Sequence, residues 1–184
     1  MSTVEKTIAI VLAVVLAAAV LFLAALKTGW INLLRPSVDI YVLREAEGGA
    51  AMVRVSRTAP GLRGVEARVR YSVEKLLEGL TDEEEKAGYL TSIPAGAKLL
   101  ACSIENGTAF IDFSADIESG GGTAAMEERL AQIVFTATQF PGVETVRFKI
   151  DGKLIEYFGG EGITDVERPL GRDHFTRFLE GGAS

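Results

Sequence analysis

Three carboxylates lie close together in the sequence, at Asp112, Asp116 and Glu118. Converging acidic oxygens are what a paired-carboxylate hydrolase or a calcium-binding loop requires. The spacing does not match an EF-hand loop, so solvated carboxylates at the end of a strand are the main interpretation. A cell-wall hydrolase that uses one of these three residues is the alternative, and it requires them to converge in a cleft.

The chain has one histidine, His174, and one cysteine, Cys102. A single histidine excludes most histidine-dependent triads and multi-histidine metal sites, and we expect His174 to be an exposed residue of the C-terminal tail. Cys102 occupies an alternating strand position, where a free cysteine usually behaves as a small buried apolar side chain. We therefore assign no catalytic, cofactor-binding or metal-binding residue, and expect a protein that is not an enzyme and needs no cofactor.

Basic residues outnumber acidic ones between Val53 and Lys75, although the whole chain is acidic. Arginine is favoured at interfaces because its planar guanidinium pairs with carboxylates through two hydrogen bonds. A solvated strand edge and helix surface is the alternative interpretation, since charged faces usually serve solubility. The residues predicted to form a partner-binding surface are Arg54, Arg57, Arg68 and Arg70.

The formal net charge of the chain is −6, from 19 basic and 25 acidic residues. An acidic protein does not bind polyanions broadly, so we exclude nucleic acid as a partner. One cysteine permits no internal disulfide, and cysteine usage therefore does not identify the compartment.

The N-terminal segment is uncharged from Ile8 to Leu26. About 17 to 25 apolar residues span a bilayer as a helix, so residues 1–32 are predicted to be a transmembrane anchor, followed by a linker over residues 33–37. A cleaved secretory signal is the alternative, but its apolar region is usually shorter, about 7 to 15 residues. Lys6 on one side competes with Lys27 and Arg35 on the other, so the charges do not set the orientation.

The whole chain has 184 residues, which suits one domain plus an appendage. The domain is predicted over residues 38–158, and a glycine-rich tail over residues 159–184, in which Phe175 and Phe178 dock. Alternating apolar residues and turn signals, including Asn106-Gly107 and Asp151-Gly152, predict three hairpins. Two helices separate these hairpins, which gives the order ββα-ββα-ββ. We expect an α+β fold, with both helices packed on one face of a largely antiparallel sheet.

The second helix is predicted to begin after the glycine loop at Gly120–Gly122, with Thr123 as its cap. Its apolar stripe faces the core, whereas Glu127, Glu128 and Arg129 are expected to face water. The stripe consists of Met126, Leu130, Ile133, Val134 and Ala137. Thr81 and Glu84 fit a capping box at the start of a short acidic helix, and Gly79 is expected to end the helix before it.

The segment from Ala131 to Lys153 closely resembles the GerMN domain of sporulation and spore-germination proteins. Its sequence is AQIVFTATQFPGVETVRFKIDGK. The stretch from Leu76 to Ser114 resembles the same family, and RPLGRDHF, from Arg168 to Phe175, resembles its common tail. The resemblance covers residues 38–158 and implies kinship in shape with ring-building modules of secretion-type assemblies.

The resemblance also implies where the protein acts and what it binds. It implies a role in spore formation or germination for a domain that lies outside the cytoplasm and binds other envelope or sporulation proteins, or further copies of itself. With the predicted anchor, the chain would be a single-pass membrane protein. A general role in the cell envelope is the fallback for an organism that does not sporulate. A ligand-binding accessory of a membrane signalling kinase is another alternative, and it requires an enclosed apolar pocket.

Overall fold

The computed structural model describes residues 3–27, 36–47, 49–159, 162–163 and 165–180. The chain divides into two compact units, residues 1–36 and residues 37–184. Most of the predicted linker, residues 33–35, lies outside the described residues.

The first unit contains helix α1, Thr3–Lys27. Its described apolar side chains, among them Ile10, Leu16 and Leu21, are exposed. Within the described parts of the chain, no helix has both the length and the apolar character needed to cross a membrane. The predicted transmembrane anchor is therefore not confirmed.

The second unit begins with a long hairpin of two strands, β1, Ser37–Ala46, and β2, Gly49–Thr58. These strands pair in unbroken antiparallel register, from Ser37 opposite Thr58 to Ala46 opposite Gly49. A short strand, β3, Tyr89–Leu90, pairs with the other side of β1 at Leu43 and Arg44. The first sheet therefore has the order β2-β1-β3.

The second sheet has the order β4-β5-β6-β7. Its strands are β4, Leu99–Glu105, β5, Thr108–Phe113, β6, Thr145–Ile150, and β7, Lys153–Leu154. Both predicted two-residue turns are confirmed, because Asn106 and Gly107 have φ of 49° and 80°, and Asp151 and Gly152 have φ of 47° and 81°.

The prediction of one largely antiparallel sheet is wrong. There are two sheets, and β5 pairs with β6 in parallel. The physical reason is the helix between them, α4, Thr123–Ala137, because a strand-helix-strand crossover returns the chain in its starting direction. The predicted ββα-ββα-ββ order is confirmed, with the short helix α3, Asp82–Lys86, and β3 added to it.

Helix α2, Val65–Leu77, contacts β1, β4 and α4, and α4 also contacts β1 and β6. The buried apolar residues of α2 are Val69, Val73 and Leu76, and Gly79 follows the helix with φ of 86°. All five residues of the predicted α4 stripe are buried. The N-cap of α4 is Gly122 rather than Thr123, and no side chain caps it.

The C-terminal segment contributes to the core of the domain. Leu170 exchanges two backbone hydrogen bonds with Val146 of β6, at 2.8 and 2.9 Å. Four apolar side chains of this segment are buried, Val166, Leu170, Phe175 and Phe178. Phe178 lies within helix α5, Arg177–Glu180, and Phe175 lies shortly before it. These four side chains therefore pack as part of the domain.

Leu170→Ala tests whether this segment stabilises the domain. Leu170 is 2% exposed, and the change should lower the free energy of unfolding by about 2 to 3 kcal/mol through lost burial and a residual cavity. Leu179→Ala is the matched control, because Leu179 is 51% exposed and should cost less than about 0.5 kcal/mol. Equal effects of the two changes in urea unfolding would show that the segment is not part of the core.

Candidate partner-binding surface

A row of polar side chains, the polar row of α4, lies along the edge of β1 that β2 does not occupy. It consists of Gln132 and Thr136 of α4 and Gln139 in the turn that follows the helix. Gln139 accepts a hydrogen bond from the Asp39 backbone N–H at 2.9 Å and donates one to the Asp39 carbonyl at 2.6 Å. Thr136 accepts from the Tyr41 N–H at 3.0 Å, and Gln132 donates to the Tyr41 carbonyl at 3.0 Å. The helix thus supplies the bonds that a neighbouring strand would otherwise make.

Gln132 also holds the loop before β4. Its side-chain oxygen accepts from the Ser92 N–H at 2.8 Å, and Gln132 is 0% exposed. The sequence analysis does not predict this role, since its stripe for this helix contains apolar residues alone. The available signal was the spacing of polar residues 132, 136 and 139 within an apolar run, since such a row lies on one helix face.

Arg129 is buried, so its predicted exposure to water is wrong. Only 3% of the residue is exposed, and its Nε donates to the Ser92 carbonyl at 2.7 Å. Its two Nη atoms donate to three further carbonyls, those of Ile117 at 2.6 Å, Ser119 at 3.2 Å and Gly120 at 3.1 Å. Burial lowers the pKa of the guanidinium, while the charge of Glu118 acts in the opposite direction. Arg129 therefore joins two loops by satisfying carbonyls that would otherwise lack partners.

The predicted surface arginines on β2 differ in their exposure. Arg54 has a side chain that is 68% exposed, and its Nε lies 3.7 Å from the Asp39 carboxylate. Arg57 has a side chain that is only 16% exposed, and it pairs through two hydrogen bonds with Glu84 of α3. Arg54 is therefore accessible to a partner, whereas Arg57 connects β2 to α3.

The two predicted arginines of α2 also have contacts of their own. The Arg68 guanidinium lies 4.6 Å from the centre of the Phe140 ring, and Arg68 is exposed. Arg70 pairs with Glu74 one helical turn later at 3.6 Å, with 39% of its side chain exposed. The four arginines thus have four different partners, Asp39, Glu84, Phe140 and Glu74.

Glu84 closes a capping box with Thr81, which confirms that prediction, and it also binds Arg57. The Arg57 hydrogen bond is the main reason that the pKa of Glu84 is lowered; burial opposes it and the Thr81 N–H supports it. An acid whose folded pKa is lowered contributes stability above its unfolded pKa and loses that contribution as the pH falls through the folded pKa.

Glu84→Gln should therefore lower the free energy of unfolding by about 1 to 3 kcal/mol at neutral pH. The difference from the parent chain should shrink as the pH falls from about 4 through the lowered folded pKa, below which the parent carboxyl is protonated as well. Urea unfolding across this pH range measures both effects. Glu85→Gln is the control, because Glu85 is an exposed residue of the same helix. A difference that does not change with pH would exclude the ion pair as its source.

The three clustered carboxylates each have a separate contact. Asp112 accepts from the Gly152 N–H at 3.0 Å, and Glu118 accepts from the Gly159 N–H at 2.8 Å. Asp116 is exposed and accepts from the Ser114 hydroxyl at 3.1 Å. In the part of the chain that the structure describes, no group of three or more His, Cys, Asp or Glu side chains is placed to hold a metal ion. Two of the carboxylates thus hold backbone turns.

Cys102 is buried in β4, as predicted, and burial raises the pKa of its thiol to about 11. A thiol with so high a pKa is almost entirely protonated at neutral pH and is a poor nucleophile. His174 is exposed, also as predicted, and its Nδ1 accepts from the Gly171 N–H at 3.3 Å.

A groove of about 410 Å³ lies beside β7. It is open to solvent, and its lining includes charged residues such as Glu118, Lys153 and Glu156 next to Leu154 and Tyr157. This groove is not the enclosed apolar pocket that a ligand-sensing module requires.

Comparison with known proteins gives one family match. The family described as Germane: Sporulation and spore germination matches residues 39–156. A search of curated proteins gives no match.

Solved structures give matches in fold. The tandem GerMN domains of the sporulation protein GerM from Bacillus subtilis match with a TM-score of 0.57 and 24% identity, covering 75% of this chain and 45% of that one. The first GerMN domain of the same protein matches at 0.55 and 19%, covering 75% and 98%. A putative lipoprotein from Clostridium perfringens matches at 0.52 and 20%, covering 76% and 89%. This chain thus spans less than half of the tandem-domain structure.

Proposed function

Because the chain belongs to the Germane, or GerMN, family of sporulation and spore-germination domains, we propose that it is a noncatalytic, membrane-tethered module that binds other proteins of the cell envelope. The family match supports a role related to sporulation. It covers residues 39–156, which include both sheets and the two long helices of the second unit.

The state of the reactive side chains supports a noncatalytic role. Asp112 and Glu118 hold backbone amides of different turns, and Cys102 is a buried thiol of raised pKa. Hydrolysis by paired carboxylates needs two acidic groups that converge on a substrate. The arrangement observed favours a domain whose polar side chains maintain its fold and whose surface binds partners.

The proposed tether rests on the sequence of the N-terminal segment. The run from Ile8 to Leu26 carries no charge, and a run of this length suits a membrane helix. The domain would then lie outside the cytoplasm, next to the membrane. Its partners would be envelope or sporulation proteins, or a second copy of the chain.

The arginines offer a surface for such partners. Arg54 and Arg68 are exposed, and Arg70 is partly exposed. Arginine pairs well with acidic groups of a partner through its planar guanidinium. We therefore propose that Arg54 contributes most to binding and that Arg68 and Arg70 are further contacts on α2. Arg57 holds β2 against α3 through its pair with Glu84.

Cross-linking of the full-length protein in its native membranes tests the proposed function. The attached material is recovered under denaturing conditions and identified by mass spectrometry. A reproducible set of envelope or sporulation proteins is expected, and an Arg54→Glu variant should reduce their recovery while Arg168→Glu, which changes another exposed arginine, should not. Attached glycan fragments without protein would overturn the proposal in favour of cell-wall chemistry.

A deletion strain tests the role in sporulation directly. Loss of the chain is expected to lower the yield of mature or germinating spores, and re-expression of the full-length chain should restore it. Normal sporulation and germination in the deletion strain would remove the sporulation role and leave a general role in the envelope.

A further inference from the structure

The sheets have several edges, and most of them cannot accept another strand. β3 and β7 contain two residues each. β4 is irregular between Leu99 and Ala101, and such bulges disrupt strand pairing. The free side of β1 is occupied by the polar row of α4. These are recognised ways of protecting sheet edges from unwanted pairing.

β2 lacks these protections along its outer edge. It has ten residues, contains no proline, and pairs with β1 without a register shift. At its start, Gly49 and Ala50 line a groove with Phe178 of α5, and at its end the Tyr71 hydroxyl donates to the Thr58 carbonyl at 2.9 Å. The open part of this edge is therefore the segment from Met52 to Ser56.

The register determines which backbone groups of this segment point outward. The N–H and C=O groups of Asp39 and Tyr41 bond to α4, so these residues do not bond to their partners on β2. Their partners are Ser56 and Arg54, and Met52 follows in the same alternation. Because bonding direction alternates along an antiparallel strand, the N–H and C=O groups of Met52, Arg54 and Ser56 point away from β1.

We propose that the outer edge of β2 binds an extended, acidic segment of a partner protein as an added strand. This inference rests on the proposed function, since it names the kind of partner and the contact that the module uses. In such binding the backbone hydrogen bonds supply affinity and the side chains supply specificity. The bonds would form at Met52, Arg54 and Ser56.

The positive charge of the β2 edge favours an acidic partner segment. The charged residues of β2 are Arg54 and Arg57, and the strand has no acidic residue. The Arg54 side chain is 68% exposed, with its Nε 3.7 Å from the Asp39 carboxylate, so its guanidinium is accessible to a carboxylate of the added strand. A second copy of β2 would bring arginines to the seam, and like charges on adjoining strands destabilise their pairing.

Two short synthetic peptides of alternating threonine and valine test the proposal, one with glutamate and one with lysine at the centre. Each is added to the full-length chain in detergent, and hydrogen exchange is followed amide by amide. Without peptide, the amides of Met52, Arg54 and Ser56 should exchange faster than those of Val53 and Val55. The glutamate peptide should slow the three fast amides.

The glutamate peptide should bind about fivefold more tightly than the lysine peptide, since one cross-strand charge pair changes sign. Arg54→Glu should reverse this preference. Ser56→Pro removes an outward N–H and should weaken binding about tenfold or more. Ser56→Ala, which removes the same hydroxyl but keeps the N–H, should bind within about twofold of the parent.

Three results would overturn the proposal. If Ser56→Pro does not weaken peptide binding, an added strand at this edge is excluded. The same holds if the glutamate peptide does not slow the exchange of the three amides. Protection of these amides that rises with the concentration of the chain alone would assign the edge to a second copy. The peptide assay requires no membrane or spore, so its failure leaves the envelope role standing, and normal sporulation in a deletion strain leaves the peptide result standing.

Discussion

Arg129→Ala is expected to lower the free energy of unfolding by about 4 kcal/mol or more. The buried guanidinium donates to the carbonyls of Ser92, Ile117, Ser119 and Gly120. Its removal leaves these acceptors without their donor and opens a void between two loops. Because small domains are stable by only about 5 to 15 kcal/mol, this single change should remove a large part of the total stability.

Urea unfolding of the full-length chain measures this loss, and two further variants define its origin. Arg129→Lys keeps the charge but has one nitrogen in place of three, so it should restore only part of the stability. Arg168→Ala is the matched control, because 81% of that side chain is exposed, and it should cost less than about 0.5 kcal/mol. A loss below about 1 kcal/mol for Arg129→Ala would show that water replaces the guanidinium at these carbonyls.

Gln132→Leu is expected to cost about 3 to 4 kcal/mol, because it leaves the Tyr41 carbonyl and the Ser92 N–H unpaired at a site that is 0% exposed. Leucine is similar in size, so the loss arises from hydrogen bonding more than from packing. Gln139→Leu should cost less, since Gln139 is only partly buried. Equal losses for the two variants would contradict a special role for the buried glutamine.

A Gln132→Glu variant tests the same buried site through the pH dependence of its stability. Burial should raise the folded pKa of the new carboxyl above its unfolded value. The protonated form can still donate to Tyr41, so the variant should be closest to the parent below about pH 4 and lose stability as the pH rises through the folded pKa. A constant difference from the parent chain would mean that the site is hydrated.

Local rules predicted the elements of this fold well. The Asn-Gly and Asp-Gly turns, the capping box of Thr81 and Glu84, and the glycine that ends α2 depend on a few neighbouring residues. Their physical causes act within one turn of the chain, so the sequence contains what is needed to identify them. The order of strands and helices follows from the same signals.

The partners of these elements depend on distant residues and were harder to predict. The spacing of residues in β5 and β6 does not reveal that the two strands pair in parallel. Arg129 and Gln132 appear polar in a helical pattern, but their acceptors lie in loops far away in the sequence. Burial of a polar group becomes favourable only when such partners exist, and composition alone does not show them.

The predicted surface arginines illustrate the same limit. The local excess of arginine is visible in the sequence, but the partner of each residue is not. Glu84 lies 27 residues after Arg57 and engages it in a half-buried pair. In the structure Arg57 is held by Glu84, whereas the Arg54 side chain is mostly exposed.

The polar row of α4 meets the backbone of β1 only if the helix presents the correct face to the correct residues of the strand. One inserted residue between positions 132 and 139 would rotate the following side chains by about 100°. Gln139 and Thr136 could then no longer meet Asp39 and Tyr41 together with Gln132. Changes in length should therefore not be tolerated within the row, because its spacing determines which backbone groups of β1 it meets.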